Sequence, residues 1–160
     1  MTADPASPAL AAPPTLSKAD REGGLVFSPK FGPDGTLTCV TVDADSGQVL
    51  MVGHMNAESL ALTIETGEGW YWSRSRQELW HKGATSGNVQ KVTELRVDCD
   101  QDALVMAVRV EGHGATCHTG QVSCFYRRVP LGQRAADGPV RLEHAGGERR
   151  FDPSDVYGKP

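Results

Sequence analysis

At 160 residues, with 39% hydrophobic and 22% charged side chains, the chain is long enough for one domain with a buried core. A formal net charge of −4 argues against general nucleic-acid binding, and no run of about 18 apolar residues is present to span a membrane. The Ala/Pro-rich start has neither the basic region nor the apolar core of a secretory signal, so a cytoplasmic protein is expected.

Residues 1–21 are poor in large apolar side chains and are expected to form a disordered arm. Residues 22–130 carry the folded domain. The first strand is predicted over residues 36–42, a run rich in β-branched side chains at Thr36, Thr38, Val40, Thr41 and Val42. Asp45, Ser46 and Gly47 signal a turn, and residues 49–52 return as the second strand of a hairpin. One helix is secure. Asn56 is its N-cap, Glu58 sits in its first turn, Ala57, Leu60, Ala61 and Ile64 make an apolar stripe, and Gly67 ends it. Residues 70–72, 89–99, 103–110 and 123–129 read as further strands. The fold class is therefore mainly β (α+β), an antiparallel-rich sheet curling into an open barrel-like domain. Residues 131–160 form a polar tail that packs in part through Val140, Leu142, Phe151, Val156 and Tyr157.

Two segments carry chemistry. Asp98, Asp100 and Asp102 stand at alternate positions; on an extended chain they project to one face and Cys99 to the other. Carboxylates suit hard ions such as magnesium and thiolates suit zinc. An EF-hand does not fit, since Ala103 and Arg109 stand where its Gly and Glu belong. The bland alternative is a charged strand end and turn. Further on, Cys117 and Cys124 flank a loop with Gly120, and with Cys99 they make three thiolates, the ligand count of a catalytic zinc. His118 is a fourth ligand, a general acid/base or a surface histidine; spacing does not choose. Cysteines in a chain with no export signal favour metal ligation over disulfides. Cys39, inside an apolar strand, reads as a buried small hydrophobe.

Between these segments and the helix lies a stretch dense in groups that hold phosphates and flat rings. Arg74, Arg76 and Lys82 supply cations, Thr85, Ser86 and Gly87 resemble a phosphate cradle, and Trp70, Trp72 and Trp80 offer stacking surfaces. The plain reading is a half-buried strand with a basic rim and two of the Trp in the core.

Taken together, residues 71–83, 85–92, 98–102, 117–120 and 123–126 resemble phosphoribosyl-AMP cyclohydrolase of histidine biosynthesis. The resemblance implies hydrolysis of the N1–C6 bond of the purine ring of phosphoribosyl-AMP. It implies Zn2+ held by Cys117 and Cys124 of one chain with Cys99 of the other, Mg2+ held by Asp98, Asp100 and Asp102, and a homodimer with shared sites. His118 is the first candidate proton shuttle and His81 the second. Arg74, Arg76, Trp80, Lys82, Thr85, Ser86 and Gly87 are the candidate substrate-binding set. The chain departs from the family pattern at Gly53 and His54, at Ala115 and Thr116, and around residues 112–114. Two rivals stand against this reading. A nucleobase deaminase would need an H-x-E and P-C-x-x-C signature that is missing. A zinc-binding interaction module would need a closed, four-ligand site.

Overall fold

The computed structural model describes residues 8–159. Of the expected arm, residues 1–7 lie outside the described residues. Beyond them Leu10 packs against the core, and a short helix, α1 (Lys18–Gly23), starts where the Ser17 hydroxyl accepts from the Asp20 amide.

β1 (Leu37–Asp43) and β2 (Val49–Met55) form the expected antiparallel hairpin. α2 (Ala57–Thr66) follows, with the Asn56 side chain accepting from the Ser59 amide and Gly67 left-handed at its end, as predicted. Its buried face is rotated from the predicted stripe. Ser59, Leu60, Ala61 and Thr63 turn inward, while Ala57 and Ile64 are exposed. The Thr63 hydroxyl accounts for this. It donates to the Ser59 carbonyl and accepts from the Trp70 amide, tying α2 to β3 (Trp70–Ser73).

β3 pairs antiparallel with β4 (Glu78–His81), which lies inside the stretch of anion-binding and aromatic groups. β5 (Gln90–Val97) and β6 (Ala103–Val110) make a second long hairpin. β6 also lies parallel to β1, which gives a four-stranded sheet in the order β2-β1-β6-β5. The tail adds a two-residue ladder of β7 (Arg127–Arg128) with β8 (Glu143–His144), and a last helical turn, α3 (Pro153–Tyr157).

The mainly β, antiparallel-rich architecture is as expected, but among the described residues no closed barrel forms: the strands there divide into one four-stranded sheet and two two-stranded ladders. The β3–β4 ladder joins the main sheet through a short backbone bridge, where Gly69 N donates to the Gln90 carbonyl and Val92 N to the Gly67 carbonyl, and through side-chain packing. The fully buried Tyr71 ring lies against Gly53 so closely that a Cβ there would stand 2.5 Å from the ring. The Tyr71 hydroxyl donates to Gln90 Oε1 and meets Thr41 Oγ1 at 2.7 Å, so this packed layer leaves no orphaned phenol. The strand predicted over residues 123–129 shrinks to Arg127 and Arg128. The Ser123 hydroxyl donates to the Val49 carbonyl and accepts from the Phe125 amide, which turns the chain instead of extending it.

The core gathers Leu37, Leu50, Met55, Leu60, Leu104, Met106 and Val108 around Tyr71. Each such side chain contributes roughly 1.5–3 kcal/mol on burial. Cys39 belongs to this core, and burial pushes its thiol up to about 12, so it is the inert hydrophobe the sequence suggests.

Candidate active site

The β1 register sets out the site. Thr38, near the start of β1, stands beside Ala103, and Val42, near its end, stands beside Val49. The acidic segment that precedes Ala103 therefore meets β1 at one end. The cysteine loop is fastened near the other, through Cys124 N to the Leu50 carbonyl and Ser123 Oγ to the Val49 carbonyl.

Within that loop Cys117 is buried and Cys124 exposed, and both thiols are free. The chain doubles back on itself: Thr116 N donates to Val122 O, and Cys117 N donates to Gln121 O. This brings the Cys124 thiol close enough to Cys117 for the two to interact electrostatically. Burial and the neighbouring Cys117 push the Cys124 thiol up to about 12, with Lys82 pulling the other way. A soft dication would favour two such neighbouring sulfurs as thiolates. Thr119 Oγ1 donates to Cys117 Sγ at 3.0 Å. Beneath the loop the Lys82 ammonium is buried and donates to the Thr116 carbonyl; burial lowers its pKa. Of the predicted substrate contacts, Lys82 is the one turned toward the cysteine loop.

His118, exposed next to Cys117, stands where two open clefts meet. One, of about 550 Å³, is lined by Arg76, Trp80, His81, Lys82, Thr85 and Ser86 among others. The second, of about 880 Å³, runs past Gly53, His54, Trp72 and Arg74 and shares Arg76, Trp80 and His118 with the first. Arg76 lies 5.8 Å and Lys82 5.3 Å from the Trp80 ring centre, so that ring carries cations at its faces. All the predicted substrate-binding residues line these clefts except Gly87. Gly87 is left-handed and donates its amide to Gly83 O, shaping the loop that presents Thr85 and Ser86. Trp70 stays out as well. It stacks on His81 with ring centroids 4.3 Å apart.

The acidic segment is a turn, not a strand. β5 ends at Val97, and residues 98–102 reverse the chain with Gln101 at a φ of +62°. Asp98 Oδ1 accepts from the amides of Asp102 and Ala103, and Gln101 N donates to the Asp98 carbonyl. Turn closure, rather than strand alternation, gathers ligand oxygens of Asp98, Asp100 and Asp102 within 4.8 Å of one another. Burial works against the Asp98 carboxylate, yet the Ala103 and Asp102 amides hold its pKa below the usual range. Burial and the charges of Asp100 and Asp98 push Asp102 up. Cys99 lines a different recess, with Lys18, Arg21 and Lys30. Among the described residues it makes no three-ligand cluster with Cys117 and Cys124.

Several residues at the site escaped the sequence reading. Glu68 accepts from His81 Nε2 at 2.7 Å and also holds Lys91, and first Lys91 and then His81 keep its carboxyl low. Nothing in local spacing links Glu68 to a histidine on a neighbouring strand. His54 borders the second cleft and a smaller one that reaches Asp102. Its departure from the family pattern flagged the position but not this location. Tyr157, read only as a tail residue that docks, lines the first cleft.

The family model for phosphoribosyl-AMP cyclohydrolase matches residues 51–126. A phosphoribosyl-AMP cyclohydrolase of Rhodopseudomonas palustris is 56% identical over 149 residues, 93% of this chain and 97% of the relative. That of Mesorhizobium japonicum is 56% identical over 153 residues, covering 95% and 97%, and that of Nitrobacter hamburgensis is 51% identical over 150 residues, covering 94% and 99%. The chain belongs to the phosphoribosyl-AMP cyclohydrolase family.

Proposed function

We propose that this family member opens the purine ring of 1-(5-phosphoribosyl)-AMP by hydrolysis, a step of histidine biosynthesis. The observation that carries the reading is the match to cyclohydrolases over nearly the whole chain, at 56% identity. In the reaction the water oxygen bonds to carbon 6, the bond between nitrogen 1 and carbon 6 breaks, and the water protons end on nitrogen 1 and the exocyclic nitrogen. The substrate carries a ribose phosphate on each side of the ring. Two clefts that meet at Trp80, Arg76 and His118 suit such a two-armed molecule. Trp80 supports the flat base, Arg74 and Arg76 take phosphate oxygens, and Thr85 and Ser86 add hydroxyl donors. His118, at the junction, moves the proton at nitrogen 1; His81, held by Glu68, is the second candidate.

The donor sets support two metals. Cys117 and Cys124 offer adjacent soft sulfurs, and the acidic turn offers three hard oxygens. We assign zinc to the first, completed by Cys99 of the partner subunit in a homodimer, and magnesium to the second. Zinc, when bound, supplies Lewis acidity that brings the pKa of water toward about 7. Attachment of the acidic turn and the cysteine loop at opposite ends of β1 favours a Cys99 supplied from a second copy.

The test is ultraviolet absorbance of the purified protein with phosphoribosyl-AMP, zinc and magnesium. Ring opening shifts the chromophore. An unchanged spectrum with metal-loaded protein would reject the cyclohydrolase reading and leave a zinc-binding interaction module.

A further inference from the structure

The family match ends at Tyr126, but the wall of the cleft does not. Past residue 126 the chain loops out and returns along residues 120–126 at three points. Ala145 and Gly146 donate their amides to the Tyr126 carbonyl. Gly146 lies against Gln121, where a Cβ would come within 2.6 Å of Oε1. Arg150 N donates to the Gly120 carbonyl at 2.8 Å, and Gly120, at a φ of +88°, sits so close under Phe151 that a Cβ would collide with the Phe151 carbonyl oxygen. The third crossing needs glycine twice over, for its backbone angle and for space.

Beyond that crossing the direction of the chain is fixed. The Phe151 ring packs 5.2 Å from His113 and 6.2 Å from Tyr157. Asp152 caps α3 by accepting from the Ser154 amide, and Pro153 opens the helix. One turn later Tyr157 reaches the cleft that holds Trp80, His81, Thr85, Ser86 and His118. It remains 46% exposed, an aromatic ring only partly covered by protein at the mouth of an aromatic and cationic cleft.

We infer that Tyr157 is a substrate-contacting residue, an aromatic wall that closes on the nucleotide opposite Trp80, with the Phe151–Gly120 crossing as its positioning device. The inference rests on the cyclohydrolase reading for the identity of the substrate, and on the cleft alone for the nucleotide class. A ring that packs on a base or ribose contributes binding in ground and transition states alike. Its loss therefore raises KM and spares kcat.

The experiment uses the full-length, metal-loaded protein and two variants, Tyr157→Ala and Tyr157→Phe. Steady-state kinetics on phosphoribosyl-AMP, AMP affinity by calorimetry, zinc content and melting temperature are read on each. Tyr157→Ala is expected to raise KM and the AMP Kd about three- to tenfold with kcat within twofold, and with zinc and melting temperature unchanged. Tyr157→Phe restores both constants. If Tyr157→Ala instead loses zinc and kcat at unchanged KM, the tail only braces the cysteine loop and the inference is overturned. Unchanged KM and AMP affinity overturn it too. A wild-type protein that binds AMP but does not turn over phosphoribosyl-AMP brings down the activity reading instead. Weaker AMP binding by Tyr157→Ala would then still support the wall.

Discussion

The acidic turn of residues 98–102 and the cysteine loop of residues 117–124 lie at opposite ends of β1 and gather their ligating atoms by different means. The turn is local. Its carboxylates are brought together by amides no more than five residues away. The loop depends on remote partners: the Val49 and Leu50 carbonyls, the Lys82 ammonium, and the returning tail at Gly120. Damage to the turn's carboxylates should therefore leave zinc in place, while loss of the loop's sulfurs or of its remote supports should reach zinc, substrate and chemistry together.

The largest effect is expected from Cys117→Ser or Cys124→Ser, each abolishing activity and bound zinc; a variant with full zinc and near-native rate would break the ligand assignment. The same contrast can be sharpened by complementation. Cys99→Ala and Cys117→Ala chains, each inactive alone, should regain about a quarter of wild-type activity when unfolded and refolded together, because random pairing makes roughly half the dimers mixed and each mixed dimer rebuilds one site. A dead mixture, with refolded wild type active, would mean that no cysteine is shared. His118→Ala comes next, with kcat lower by about 10²–10⁴, zinc retained and substrate affinity little changed. Zinc loss in that variant would make His118 a ligand. Asp100→Asn should cost less, about tenfold in rate, with a weakened magnesium requirement and zinc untouched, since a hard ion needs anionic oxygen. Co-loss of zinc would mean that the two ends are not independent.

The smallest effect is expected on stability, at Gln101. Its buried side chain accepts from the Ser28 amide and donates to the Arg21 and Val26 carbonyls, so it moors residues 21–28 to the back of the turn. Gln101→Ala should lower unfolding free energy by about 1–3 kcal/mol in urea, with zinc content constant. A zinc-depleted Gln101→Ala protein would show the turn to be as non-local as the loop.

The sequence was most legible where one local signal sufficed. Asn56 and Gly67 bounded α2, and the β-branched run bounded β1. The roster of cleft residues was also readable, because cations, hydroxyls and Trp crowd residues 70–86. Three features were not. Alternating Asp98, Asp100 and Asp102 mimic a strand, but the positive φ of Gln101, unusual for that side chain, and the amides that Asp98 accepts make the segment a turn. The apolar stripe of α2 misled because Thr63 trades an exposed hydroxyl for two buried hydrogen bonds. The links from Glu68 to His81 and from Phe151 to Gly120 join segments that no short window contains.

The parallel pairing of β1 with β6 has a consequence for how the protein is made. Hairpins such as β1–β2 and β5–β6 close in microseconds, but Thr38 meets Ala103 only after more than sixty residues have been synthesised and looped. Non-local pairing of this kind slows folding, and the edge of β1 waits unsatisfied in the meantime. A chain stalled before β6 emerges presents that edge, with Val40 and Val42 along it, to any neighbouring strand. Aggregation during synthesis, rather than melting of the finished domain, is thus the failure to which β6 variants are most prone.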